Sequence, residues 1–155
     1  MNDQQKIDFK NTLKKRCIAI IEQRISSSYH AMENAQAAAN EEEKSSAGDK
    51  YETGRAMNHL EKDMHARQLS ANKKDMAGLL SVNCNQIYYR VIPGCLVKCT
   101  GISFFIAAGL GKIIIEEETV FLLSHHAPVT KMLYNKKAGD KFLFNGKELK
   151  IEDLY

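Results

Sequence analysis

Five carboxylates crowd one short stretch of this 155-residue chain: Glu41, Glu42, Glu43, Asp49 and Glu52, within "EEEKSSAGDKYETGR" from Glu41 to Arg55. The stretch is too polar to be core and too short to be a domain. Its acids also stand closer together than a plain connector needs. A charge run of this kind is usually a solvated helix end. Three glutamates at the C-terminal end of a helix nevertheless oppose its macrodipole, a small local cost that favours a functional reason. The other chemistry-bearing residues are less organised. Cys84, Cys95 and Cys99 invite zinc, yet a C-x3-C without a second pair is a poor metal signature. Together with Cys17 they are expected as reduced, buried small hydrophobes. Cys95 with His125 or His126 is the one arithmetic pair for acyl transfer, and no nucleophile-elbow context surrounds it. No metal and no cofactor are expected.

The acids must be carried by something, and the flanking sequence reads as two long helices. Ile18, Ile21, Ile25, Ser28, Met32, Ala35 and Ala39 fall at spacings of three and four, a heptad seam. No Pro occurs before Pro93 and no Gly before Gly48, so the first helix is expected from about Gln5 to about Glu43. A second pattern follows, with Met57, Leu60 and Met64 on one stripe and then, with some drift, Ala71, Met76 and Leu79. Helices this long need a packing partner, so residues 1–82 are expected to fold back as an antiparallel hairpin. Its acidic tip lies at 41–52, and Met57, Leu60 and Met64 face the first seam. Small residues toward the turn, Ser28, Ala35 and Ala39 facing Gly54 and Ala56, predict a slender and only marginally stable distal part, because little apolar area is buried there.

The second half changes period. "GCLVKC", "SFFIAA", "KIIIEE" and "TVFLL" read as strands. "HAPVTKMLYNKKAGD" reads as one short helix with Pro128 early and Gly139 past its end. Asn145-Gly146 supplies a type I′ hairpin turn in "KFLFNGKELKI". After a linker, "SVNCNQ", residues 86–155 are expected to fold alone as a compact α+β domain. Its core candidates are Val97, Phe105, Ile114, Phe121, Leu133, Phe142 and Ile151.

Composition narrows the function classes. The net charge is +3, with 13 Lys/Arg against 12 Asp/Glu in residues 1–85 and 9 against 7 in 86–155. Neither half is a basic nucleic-acid arm. The N-terminus has no signal-peptide h-region, and the apolar runs are too short to span a bilayer. A cytoplasmic monomer that does not engage membranes is the expectation.

A helical hairpin followed by a small strand-rich domain resembles the Gre transcript cleavage factors of bacterial RNA polymerase. "SHHAPVTKMLYNKKAGDKFLFNGKELKIEDL" is similar to the family's S-P-L-G-x-A-L-L-G-K-x-x-G-D-x-V pattern, with Ser124, Met132, Leu133, Lys136, Gly139, Asp140 and Ile151 in matching places. "IPGCLV" resembles the family's G-S-x-V through Gly94 and Val97, and "SSAGDKY" its tip L-S-E-N-A-E-Y through Ser46 and Tyr51. The likeness is spread over nearly the whole chain and lies in the order of the motifs, as in a short, divergent Gre-like branch.

The resemblance implies an FKBP-like C-terminal domain that docks on the polymerase, with Ser124, Lys136, Gly139 and Asp140 as candidate partner contacts. It implies a coiled coil inserted in the secondary channel, where DNA and RNA are met only within that complex. In the family two tip acids help hold the polymerase's second magnesium; a hard cation takes carboxylate oxygens, and two-metal phosphodiester cleavage needs charge at a fixed point. Here Lys44 and Ala47 stand in those two places, and Glu41, Glu42, Glu43, Asp49 and Glu52 are the candidates from a shifted register. Such a chain is no enzyme of its own; it modulates elongation, with stimulated transcript cleavage as the further step. One alternative is a coiled-coil module for another partner. Another is an autonomous enzyme such as a prolyl isomerase, with Phe104, Phe105, Phe121, Phe142 and Phe144 lining a pocket; their strand spacing points rather to core.

Overall fold

The computed structural model describes residues 1–44 and 48–155, and the side chains of these except 42–44 and 48–52. The fold is α+β: a helical hairpin followed by a small mixed-sheet domain. Helix α1 spans Asp3–Lys44 and α2 spans Gly48–Ser81. Strands β1 (Leu96–Cys99), β2 (Ile102–Ile106), β3 (Gly111–Ile115) and β4 (Glu118–Leu123) follow, then α3 (Pro128–Leu133). Strands β5 (Lys141–Phe144), β6 (Lys147–Lys150) and β7 (Asp153–Leu154) complete the chain.

A reciprocal capping box that the hydrophobic pattern did not disclose starts α1. Gln5 N donates to Asn2 Oδ1 at 2.8 Å, and Asn2 N donates to Gln5 Oε1 at 2.9 Å, which satisfies two orphan amides of the first turn. Within the stretch from Glu41 to Arg55, expected as the acidic tip, residues 41–44 and 48–55 are helical, and 45–47 lie outside the described residues. Glu and Lys are good helix formers, in keeping with α1 running through Glu41, Glu42, Glu43 and Lys44.

The chain divides into two compact units, Met1–Ala19 with Ala77–Tyr155, and Ile20–Met76. In the first, five strands form a sheet in the order β3-β4-β2-β1-β7, with β2 and β4 parallel and every other pair antiparallel. The strands β5 and β6 form a separate hairpin turned at Asn145 and Gly146, both at positive φ (50° and 77°), as a type I′ turn requires. Core side chains include Val97, Phe104, Ile106, Leu133, Phe142 and Ile151. Ile114, expected in the core, is instead exposed. It lies on the edge strand β3, where period-two alternation turns its side chain away from the face that Ile113 and Ile115 half-bury.

The "SVNCNQ" segment is a packed connection and not a free linker. Val82 and Cys84 are buried in it, and of three lysines one helical turn apart on α1 two hold the residues around it and the third reaches β7. Lys14 Nζ donates to the carbonyls of Leu80 (3.2 Å) and Val82 (2.7 Å), where α2 ends. Lys10 Nζ donates to Gln86 O, and Lys6 pairs with Asp153 at 2.7 Å. Phe9, Leu13 and Cys17 are buried on the same segment of helix. The compact unit around the sheet therefore takes in the first five turns of α1 as well as residues 86–155.

Gly94 sits where only glycine fits. Its φ is +94°, and an added Cβ would lie 2.5 Å from the carbonyl oxygen of Asn83.

Candidate functional site

The candidate acids are distributed over two helix ends. Glu41, Glu42 and Glu43 occupy the last turn of α1, and Asp49 and Glu52 the first turns of α2. Glu41 is exposed. The side chains of Glu42, Glu43, Asp49 and Glu52 lie outside the described residues. The two sets meet opposite helix fields: carboxylates are favoured at the start of α2 and disfavoured at the end of α1.

Behind them, the unit of residues 20–76 has the expected α1 seam. Ile21, Ser28, Ala35 and Ala39 are buried, and Ile25 and Met32 half-buried. The α2 seam is not the expected one. Met57, Leu60 and Met64 are 66%, 70% and 48% exposed, while Asn58, Lys62, His65, Asn72 and Met76 are half-buried and Leu69 is buried. The inward residues step by four and three back from Leu79, so the phase set where Leu69 and Leu79 bury is carried unbroken along the helix. The Met57 stripe lies about 100° away from that face. A polar pair crosses the seam, with Asn72 Nδ2 donating to Ser28 Oγ at 3.3 Å. His65 also makes local contacts, its Nε2 3.7 Å from Glu61 Oε1 and its Nδ1 3.3 Å from Gln68 Oε1.

In the sheet unit, Ser124, Lys136, Gly139 and Asp140 bracket α3 and are tied into the structure around it. The Ser124 carbonyl accepts from the hydroxyl of buried Thr130 at 2.7 Å, and Lys136 O accepts from Val91 N at 3.0 Å. Gly139, at φ +96°, donates its amide to Ile151 O. Asp140 Oδ2 accepts from Lys137 N at 2.9 Å and closes the turn. These residues shape the surface after α3; the exposed large side chains beside them are Met132 and Tyr134.

The competing constellations do not assemble. All four cysteines are free and buried. Burial pushes the Cys95 thiol up to about 12, far from the thiolate that a nucleophile needs. His125 and His126 are exposed, with ring centroids 3.8 Å apart. The phenylalanines pack on one another, with Phe104 5.0 Å from Phe144, 5.7 Å from Phe142 and 5.8 Å from Phe121, and so fill core space.

A cleft that the sequence did not announce opens between the β1–β2 and β3–β4 turns. It is lined by Lys98, Cys99, Ser103, Glu117, Glu118 and Thr119. Lys98 Nζ pairs with Glu118 Oε1 at 2.7 Å, and Glu118 Oε2 is buried without a hydrogen-bond partner.

Against known proteins, no family model matches the chain, and no curated protein matches it. Among solved structures it is similar to that of the transcription factor Gfh1. The identity is 13%, over 89% of this chain and 92% of that chain, with a TM-score of 0.38. Among the described residues, no helix is long and apolar enough to cross a membrane.

Proposed function

We propose that this chain is a Gre-like transcription factor that binds bacterial RNA polymerase, inserts its helical hairpin into the secondary channel and modulates elongation. The observation that carries the reading is the gathering of Glu41, Glu42, Glu43, Asp49 and Glu52 at the adjoining ends of two helices. The hairpin behind them closes on small residues, Ser28, Ala35 and Ala39, which lets two helices lie close together. The order of the matching motifs around Gly94, Ser124 and Gly139 supports the same reading. Such a hairpin has no active site of its own. It lends carboxylate oxygens to a divalent ion held by the polymerase, and the FKBP-like sheet unit anchors it through the surface around Ser124, Lys136, Gly139 and Asp140. The factor is then a cytoplasmic monomer that meets nucleic acid only inside the complex.

The test is retention of polymerase subunits on the immobilised full chain, followed by transcript analysis of stalled complexes with and without the protein. Retention together with altered elongation or shortened transcripts is expected. Failure to retain polymerase would overturn the proposal.

A further inference from the structure

Over residues 54–66, α2 is more apolar on its outer face than on its inner one. Met57, Leu60 and Met64 are largely exposed, while Gly54, Asn58, His59, Lys62, His65 and Ala66 are half-buried, and none of these inner residues is a large apolar one. Their spacing of three and four places the three apolar side chains on one face. Local rules broken in this way concentrate at functional surfaces. We infer that this stripe is a docking surface for an apolar protein wall, the wall of the cavity that receives the acidic end of the hairpin. The inference rests on the proposed function and adds a contact to it.

Three observations select that occupant. The first concerns size. Three side chains cannot supply the roughly 800 Å² per partner that a stable dimer buries, so the stripe suits one contact among several made by a partner held elsewhere too. The second concerns charge. Exposed Glu61 and Asp63 flank the stripe, with exposed Arg67 beyond Met64; a two-fold pairing of copies centred on Leu60 would bring the acids together, and a membrane surface calls for flanks that are basic and not mixed. The third is position. Met57 lies roughly 14 Å and Met64 roughly 24 Å along the helix from Gly48, at 1.5 Å per residue. Any cavity that takes in the acidic end to that depth must face the stripe. Methionine at both ends suits a contact that adapts to its wall.

The experiment compares the full chain with the Leu60→Gln/Met64→Gln variant, whose glutamines keep good helix propensity. Affinity for bacterial core RNA polymerase is measured by fluorescence, the thermal melt by circular dichroism, and mass by sedimentation. Polymerase binding about tenfold weaker or more, with a melt within a few degrees of wild type and both proteins monomeric, is expected. Equal affinity of the two proteins would overturn the inference and leave the proposed function standing. A large drop in the melt would overturn it by showing that the stripe is inward-facing core. A wild-type dimer lost in the variant would overturn it in favour of a second copy. Wild type that binds no polymerase removes the proposed function, and this inference with it.

Discussion

Lys10 Nζ donates to the carbonyl of Gln86 at 2.5 Å and stands 4.6 Å from the ring centre of Tyr88, with the whole lysine residue buried. A buried ammonium is costly unless it is bonded. Here a carbonyl and an aromatic face compensate, and burial still holds the amine below its ordinary range. The bond ties α1 to the segment leading into the sheet. Lys10→Met keeps the stem and loses the bond, so a loss of about 1–3 kcal/mol in urea denaturation is expected. Leu13→Ala, at a position with no exposure, should cost about 2–5 kcal/mol. Residues 86–155 expressed alone lack Phe9, Leu13 and Cys17 and should melt without cooperativity. A sharp two-state melt of that fragment would show that the start of α1 is dispensable.

Alkaline pH should weaken the fold through its thiols. Burial raises Cys17 and Cys95 to about 12 and Cys99 to about 11 from an ordinary 9.0. Burial pushes Cys84 and the Tyr155 phenol up as well. Above pH 9 the native chain therefore holds protons that the unfolded chain has released. This contribution is fully present below about pH 9 and is lost as pH rises toward 12. Lys10, lowered in the native state, acts in the opposite sense, since the unfolded chain binds the extra proton there. It is one group against several. Urea midpoints measured from pH 8 to 11 under reducing conditions should fall, and Cys99→Ala should make the decline shallower. A flat profile would mean that the thiols ionise within the native fold.

The hairpin seam carries a replaceable polar pair. Asn72 and Ser28 contribute one 3.3 Å hydrogen bond among small residues, and a polar group in a helix seam fixes register at the expense of stability. Replacing both, Ser28→Ala with Asn72→Leu, should raise the thermal midpoint of the hairpin. Asn72→Leu alone should gain less, because the serine hydroxyl loses its partner. Midpoints for the two single variants and the double variant give the coupling between them. A double variant that melts lower would place the pair among the stabilising contacts.

The α1 seam was legible because Ile21, Ser28, Ala35 and Ala39 keep one period over many turns, and a period survives without knowledge of the partner. The α2 phase was not, because the apolar residues there mark the outer face; only packing near Leu69 and Leu79 decides which face turns inward. Asn145-Gly146 announced its hairpin by residue type. The β3–β4 turn did not, since Glu116 and Glu117 take positive φ (48° and 67°) where glutamate is an uncommon choice. Ile114 was misplaced for a related reason, as "KIIIEE" shows three isoleucines and no alternation from which to read an edge strand. The acidic cluster was plain in the sequence. So was the place of its three glutamates at the end of the first helix; that Asp49 and Glu52 already belong to α2 appeared only with the extent of that helix.

That division separates structural from functional roles for the acids. Neutralising Glu42 and Glu43 removes negative charge from the disfavoured end of α1, while neutralising Asp49 removes it from the favoured end of α2. Each effect is about 0.3–1 kcal/mol, with opposite signs. The triple change Glu42→Gln, Glu43→Gln and Asp49→Asn should therefore leave the melt nearly unchanged. If the carboxylates meet a metal in a polymerase channel, the same variant should bind polymerase as wild type does and lose most of its effect on stalled complexes. The reason is that hard-metal ligation requires anionic oxygens, which the amides do not supply. Glu42→Gln/Glu43→Gln and Asp49→Asn made separately then show which helix end delivers the ligand. A triple variant with undiminished effect on transcription would mean that the acids only solvate the turn, and the hairpin would then act by filling the channel.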